Sequence, residues 1–142
     1  MPASVAAGKW LLDTGPLVAL LSRNDAAHEQ CVETFASLPG PLLSTEEVLT
    51  EAMHLVGKRP RDAATCLDFF IRAGALLLPM TAQRLARCRE LMARYSNVPM
   101  DFADATLVAL AEELEIGNVL TLDHRGFVTY RWNRTRRFTI LP

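Results

Sequence analysis

Apolar residues along the chain fall into short dense runs separated by longer stretches with helical spacing. Trp10-Leu11-Leu12 is one such run, broken by Asp13-Thr14-Gly15-Pro16 before Leu17 to Leu21 resume a helical pattern. This predicts a buried strand that turns into a helix. From Ala26 to Leu38, Cys31, Val32 and Phe35 recur near helical spacing, and Pro39-Gly40-Pro41 stops that helix ahead of a second strand at Leu42-Leu43. Ser44 followed by Glu47 has the form of a capping box, with Val48, Leu49, Ala52, Leu55 and Val56 as the stripe of the helix it opens and Gly57 as its end. Pro60 starts a helix through Leu67, Phe70 and Ile71, Ala75 to Leu78 predicts a third strand closed by Pro79, and Thr81 caps a helix reaching about Tyr95. Pro99 and Asp101 open the most apolar helix, Phe102 to Leu114. Gly117 then leads into a fourth strand, Val119-Leu120, that delivers Asp123, and Phe138 to Leu141 makes a fifth.

Strands that alternate with helices imply a parallel sheet covered on both faces, because a parallel connection needs a crossover long enough to hold a helix. With 142 residues, half of them apolar, the chain can fill one core without disulfides or structural metal. Cys31, Cys66 and Cys88 are odd in number and widely spaced, which fits a reducing cytoplasm. The apolar stretch Trp10 to Leu21 is too short to span a membrane, holds Asp13 and Pro16, and is followed by no small-residue cleavage site, so neither a membrane span nor a secretion signal is expected. The net charge is −1, but Arg125 to Pro142 carries five arginines and no acid, which leaves −6 on the rest. An acidic body with a basic tail results.

Most of the acids have ordinary explanations. Glu46 and Glu47 suit a helix first turn, Asp25, Asp62 and Asp68 suit caps or the surface, and Glu112, Glu113 and Glu115 suit a solvated helix end. Asp13 stands apart at the carboxyl end of a buried strand, where open α/β sheets collect ligands, though a role as helix cap is equally open on position alone. Asp104 lies in the most apolar helix, in line with Val108 and Ala111, where a carboxylate must be paired or bind a cation. Asp101 and Asp104 also imitate a capping box, Asp123 reads equally as a turn aspartate, and Glu51 as an exposed flank residue beside His54. If the first and fourth strands are neighbours, Asp13, Asp104 and Asp123 converge at one edge of the sheet. Crowded carboxylates cannot all stay ionised uncompensated, and Lys9 and Lys58 are the only lysines. A hard divalent cation, Mg²⁺ or Mn²⁺, is the natural counter-charge.

Four segments taken together resemble the PIN-domain ribonucleases, in particular VapC-type toxins: Leu12-Asp13-Thr14-Gly15-Pro16-Leu17, a helical Glu51 after Ser44-Thr45, Pro99-Met100-Asp101-Phe102-Ala103-Asp104-Ala105, and Thr121-Leu122-Asp123-His124-Arg125-Gly126-Phe127. The resemblance implies a three-layer α/β sandwich with a five-stranded parallel sheet of order 3-2-1-4-5, formed by residues 9–142 as one domain behind a disordered leader, residues 1–8. It also implies an acidic quartet of Asp13, Glu51, Asp104 and Asp123, with Asp101 as an additional metal-ligating acid and Thr14 and Thr121 orienting the ligands. Gly126 departs from the pattern, since many relatives carry an acid or another polar residue there. The implied activity is Mg²⁺- or Mn²⁺-dependent endoribonucleolytic hydrolysis leaving a 5′-phosphate and a 3′-hydroxyl. The implied assembly is a cytoplasmic homodimer held in check by a cognate antitoxin that covers the acidic pocket.

The basic tail adds one expectation. Arg125, Arg131 and Arg134, with Arg136 and Arg137 and the interleaved Phe127, Tyr130, Trp132 and Phe138, could grip RNA phosphates and stack bases, or could be an edge strand carrying protective charge. Other functions fit less well. Asp13-Thr14-Gly15 is also the tripeptide of aspartic proteases, but those need a β-rich body. Receiver and haloacid-dehalogenase phosphoryl-transfer domains need a late lysine, and none follows Lys58. A PIN-like module that binds RNA or protein without cutting remains the alternative.

Overall fold

The computed structural model describes residues 8–39 and 41–142. Most of the leader expected at residues 1–8, and Gly40 of the proline-flanked stop, lie outside the described residues. In chain order the elements are β1 (Trp10–Leu12), α1 (Thr14–Leu21), α2 (His28–Ser37), β2 (Leu42–Thr45), α3 (Glu46–Val56), α4 (Pro60–Ile71), β3 (Leu76–Leu78), α5 (Ala82–Arg94), α6 (Phe102–Leu114), β4 (Asn118–Leu120), α7 (His124–Thr129), β5 (Arg131–Trp132), β6 (Arg136–Arg137) and β7 (Thr139–Leu141).

Five strands form a wholly parallel sheet in the order β3-β2-β1-β4-β7, flanked by helices as an α/β three-layer sandwich. The expected order is therefore found, with β7 as the last strand. β1 and β2 are buried along their whole lengths, as strands covered on both faces must be, and this is why each reads as an unbroken apolar run at its start. β1 pairs with β4 through Leu11 opposite Val119 and Leu12 opposite Leu120, so both chains leave the sheet side by side. α6 is buried without interruption from Ala103 to Ala111, which explains its all-round apolar character. No helix among the described residues is long and apolar enough to cross a membrane.

The structure corrects several local expectations. The cap of α3 is Thr45, whose side chain accepts from Val48 N, while Ser44 instead donates to Leu12 O across the sheet at 2.7 Å. Glu113 and Glu115 are exposed, as a solvated edge requires, but Glu112 is half-buried, and Glu112 and Glu113 take the Arg87 and Arg84 guanidiniums of α5, with Nε contacts of 2.7 and 2.5 Å, and so join α5 to α6. The basic tail holds a short helix, α7, and an antiparallel ribbon of β5 and β6, none of which the residue pattern announced. Phe127, Tyr130, Trp132 and Phe138 are buried, Tyr130 and Phe127 completely, so the rings considered for base stacking are core residues.

Candidate active site

Chain geometry at the carboxyl ends of β1 and β4 places the first acids. Asp13 leaves β1 with its N–H donating to Leu120 O at 3.0 Å, and is 6% exposed. As the N-cap of α1 it accepts from Thr14 N at Oδ1 (2.8 Å), while Oδ2 accepts from the Thr121 hydroxyl (2.7 Å). Thr121 Oγ1 accepts in turn from Asp123 N at 2.9 Å, so one hydroxyl ties the end of β1 to the turn after β4. Burial pushes the Asp13 carboxyl up to about 6, against the lowering by these two donors, and the charges of Asp101 and Glu51 push the same way.

The N-terminus of α6 supplies the second group. Asp101 accepts from Asp104 N at 2.7 Å, and Asp104 Oδ2 reaches back to Asp101 N at 3.4 Å, so this pair is a genuine capping box. Asp104 is nevertheless buried, and its Oδ2 also accepts from the Tyr130 hydroxyl at 3.1 Å. Desolvation first, then the charges of Asp13 and Asp101, drive its carboxyl far above the usual carboxylate range. Two desolvated carboxylates that repel each other in this way call for a cation.

Glu51 stands half-buried on α3, with its pKa raised by burial and by Asp101. Thr14, on the opposite wall, favours its charged form, though no hydrogen bond of ordinary geometry joins the two: Thr14 Oγ1 is buried without a partner. Asp123 differs from the rest. It is exposed and caps α7, accepting from Gly126 N at 3.0 Å. Gly126 makes this approach feasible, because a Cβ there would stand 2.4 Å from Asp123 Oδ2. The residue that departs from the family pattern thus lies against the Asp123 carboxylate itself.

Asp13 therefore feels the charges of Asp101 and Glu51, and Asp104 those of Asp13 and Asp101, while Asp123 is tied to Asp13 through Thr121 and acts on Tyr130, which donates to Asp104. The donors are carboxylate and hydroxyl oxygens, one of them an orphaned buried hydroxyl, and this chemistry fits a hard divalent ion. Among the described residues no group of three or more His, Cys, Asp or Glu stands close enough to hold a metal as placed, and Asp101 and Asp123 each give one oxygen to a helix cap. Glu47, Thr50, Glu51, His54, Asp101 and Phe102 line a groove of about 680 Å³ beside the acids. A larger apolar hollow of about 970 Å³ along α5 adjoins that groove at Phe102 but is lined by none of the four acids of the quartet, so size does not mark the site here.

Of the arginines considered for RNA, Arg125 and Arg134 are exposed, whereas Arg131 directs Nη1 to the carbonyls of Val128, Thr129 and Tyr130 and so closes the end of α7. Tyr130 is the contact that sequence reasoning missed. A helix between Asp123 and Tyr130 is the signal that would have turned its hydroxyl toward Asp104.

Comparison with known proteins follows the same lines. The PIN domain family matches residues 10–132. The fold resembles Mycobacterium tuberculosis VapC20, a sarcin-ricin loop cleaving toxin, with a TM-score of 0.71 and 24% identity over 77% of this chain and 85% of that one. It resembles VapBC2 from Rickettsia felis bound to a promoter DNA fragment, with a TM-score of 0.64 and 15% identity over 93% and 96%. FitAB bound to an IR36 DNA fragment gives a TM-score of 0.54 and 20% identity over 80% and 84%. No curated protein matches the chain.

Proposed function

The chain belongs to the PIN-domain family, and from that premise we propose that it is a divalent-metal-dependent endoribonuclease and the toxin of a type II toxin–antitoxin pair. The observation that carries the reading is the buried pair Asp13 and Asp104, desolvated, mutually repelling and flanked by the orphaned Thr14 hydroxyl. The likeness in fold to VapC20, VapBC2 and FitAB supports the toxin assignment.

In this proposal residues 9–142 form one nuclease domain, and Asp13, Asp104 and Asp123 hold Mg²⁺ or Mn²⁺ with Asp101 at the margin. The ion supplies Lewis acidity at the scissile phosphate and lowers the cost of deprotonating water. The chain supplies the rest. Thr121 steadies Asp13 through its 2.7 Å bond, Thr14 turns its spare hydroxyl toward Glu51, and Glu51 orients the attacking water at the mouth of the groove. Asp123 must release Gly126 N, or use its other oxygen, to join the set. RNA lies along the groove lined by α3 and the start of α6, with Arg125 and Arg134 as candidate phosphate contacts outside it. Two copies of the chain and an antitoxin covering the acidic groove complete the assembly, in a cytoplasm where Cys31, Cys66 and Cys88 remain reduced.

One observation favours a second reading. With Asp123 committed to α7 and no three ligands converged among the described residues, the fold could serve as an RNA- or protein-binding module without cleavage. Incubating labelled RNA with the purified chain and Mn²⁺, with and without chelator, separates the two. Chelator-sensitive cleavage that disappears in Asp104→Asn is expected; RNA bound but left intact by the wild type would favour the module, and full cleavage by the variant would sink the assigned site.

A further inference from the structure

Tyr130 lies outside the segments that identified the acids, yet it touches one of them. Its hydroxyl stands 3.1 Å from Asp104 Oδ2, and the residue is fully buried. The backbone fixes its base, because Tyr130 closes α7 with its N–H donating to Gly126 O at 2.9 Å. Aromatic packing fixes its ring: Tyr95 and Phe127 meet it edge-on, each with centroids 5.1 Å away, and Phe127 meets Phe138 at 5.3 Å. Gly126 leaves room for its tip, since a Cβ there would stand 3.1 Å from the hydroxyl.

The other hydrogen bond to the Asp104 carboxylate comes from Asp101 N, at 3.4 Å and to the same Oδ2. That distance is beyond the usual N–H···O range, so the phenol is the principal donor. Both donors meet one oxygen, and among the described residues Oδ1 accepts none. The terminal torsion of an aspartate is broad and nearly two-fold, so a donor committed to one oxygen decides which oxygen is left free of protein donors. A neutral phenol does this without adding a positive charge that would compete with a cation.

We propose that Tyr130 is a positioning residue of the acidic site: by donating to Asp104 Oδ2 it fixes the carboxylate's orientation and leaves Oδ1 as the oxygen that meets the cation. The proposal rests on the metal-dependent reading above. Hydrogen-bond partners of metal ligands commonly account for 10- to 100-fold in metal affinity or rate. A phenol that merely satisfied its own need for a partner would affect folding stability alone.

Tyr130→Phe keeps the ring and its edge-on contacts and removes only the hydroxyl. Mn²⁺ binding, followed by electron paramagnetic resonance of the free ion, should weaken about tenfold, and kcat for RNA cleavage should fall about tenfold with KM within about twofold. Mn²⁺ affinity and kcat equal to wild type, with or without a lower melting temperature, overturn the proposal. Asp104→Asn is titrated alongside: if it binds Mn²⁺ as wild type does, the metal reading itself fails, whereas loss in Asp104→Asn but not in Tyr130→Phe removes Tyr130 alone. Should Tyr130→Phe not fold, a crystal structure of the wild type soaked in Mn²⁺ decides. Asp104 bound through Oδ1 with Oδ2 still on the phenol is expected; coordination through Oδ2, or a phenol turned away, overturns it.

Discussion

Asp13→Asn preserves the size and shape of a side chain that is 6% exposed, removes its charge and exchanges one acceptor for a donor, and only the charge makes its effect on the metal-free protein depend on pH. The carboxyl stands at about 6 in the folded chain, against an ordinary 3.8, chiefly because burial penalises the ionised form. A folded-state pKa raised in this direction destabilises: the penalty is absent below the unfolded value of 3.8, grows as pH rises toward about 6, and is complete above that. At 1.36 kcal/mol per pH unit it reaches about 3 kcal/mol at pH 7.5 and only about 1 kcal/mol at pH 4.5. The amide can keep the Thr14 N–H on its oxygen and donate its NH₂ to Thr121 Oγ1, but the Thr121 proton then needs a new acceptor, a pH-independent loss of about 1 kcal/mol. The variant should therefore be more stable than wild type by about 2 kcal/mol at pH 7.5, roughly 6 °C in Tm for a domain of this size, and nearly equal to it at pH 4.5. Thermal and urea melts in chelator at both pH values, at one ionic strength, give the comparison. Saturating Mn²⁺, at about 100 times its Kd, should add about 2.7 kcal/mol to wild type and nothing to the variant. An identical difference at both pH values would refute the reasoning, because the charge would then not be its cause.

Asp123→Ser keeps a side-chain acceptor for Gly126 N and deletes a carboxylate, so stability should stay within about 0.5 kcal/mol while RNA cleavage falls at least about 100-fold; retained cleavage would reduce Asp123 to a cap. Thr121→Val removes a donor to Asp13 and the acceptor of Asp123 N, and urea melts should show a loss of about 2 kcal/mol. That loss should be larger at pH 7.5 than at pH 4.5, because the missing donor favoured ionised Asp13. Replacing Arg134 and Arg137 by serine leaves Arg136 stacked on Trp132. If the ribbon grips RNA, the slope of log binding constant against log salt should flatten by about 1.5 units, and an unchanged slope would mark the ribbon as protective charge.

That the sheet is parallel and covered on both faces was legible because the short apolar runs at Trp10, Leu42 and Val119 mark buried strands separated by helical crossovers, whereas the order of the strands came from the resemblance to PIN-domain proteins. What escaped depends on contacts between distant segments. Ser44 looked like a cap because nothing local shows that its hydroxyl is taken by Leu12 O, 32 residues away. The ion pairs of Glu113 and Glu112 escaped because their partners Arg84 and Arg87 lie on another helix. α7 has six residues, too few for helical periodicity to register, and the β5–β6 turn carries positive φ at Asn133 and Arg134 in place of the usual Asn-Gly. At the site, the apolar setting of Asp13 and Asp104 was readable, since burial next to a strand end or inside an apolar helix follows from local pattern. The neighbours of Glu51 were not: His54 was the only one in view along its helix, whereas Thr14 and Asp101 face it from α1 and α6.

Each aspartate of the site had a plain structural explanation beside the functional one, and the structure shows why the two coincide. Asp13 caps α1, Asp101 and Asp104 form the capping box of α6, and Asp123 caps α7. All three helices begin where β1 and β4 end or at the helix leading into β4, so their N-termini gather at one end of the sheet. A helix N-terminus carries about half a positive charge, and three together supply the partial compensation that lets several carboxylates share a small volume without a cation. Compensation is incomplete, as the raised carboxyls of Asp13 and Asp104 show. The cap hydrogen bonds hold the acids close in the metal-free fold, and the residual repulsion is what a bound divalent ion would relieve. Asp123 lies at the far side of this balance: exposed, with only Oδ1 engaged by the cap of α7, it is the carboxylate whose turn toward the others would complete the set.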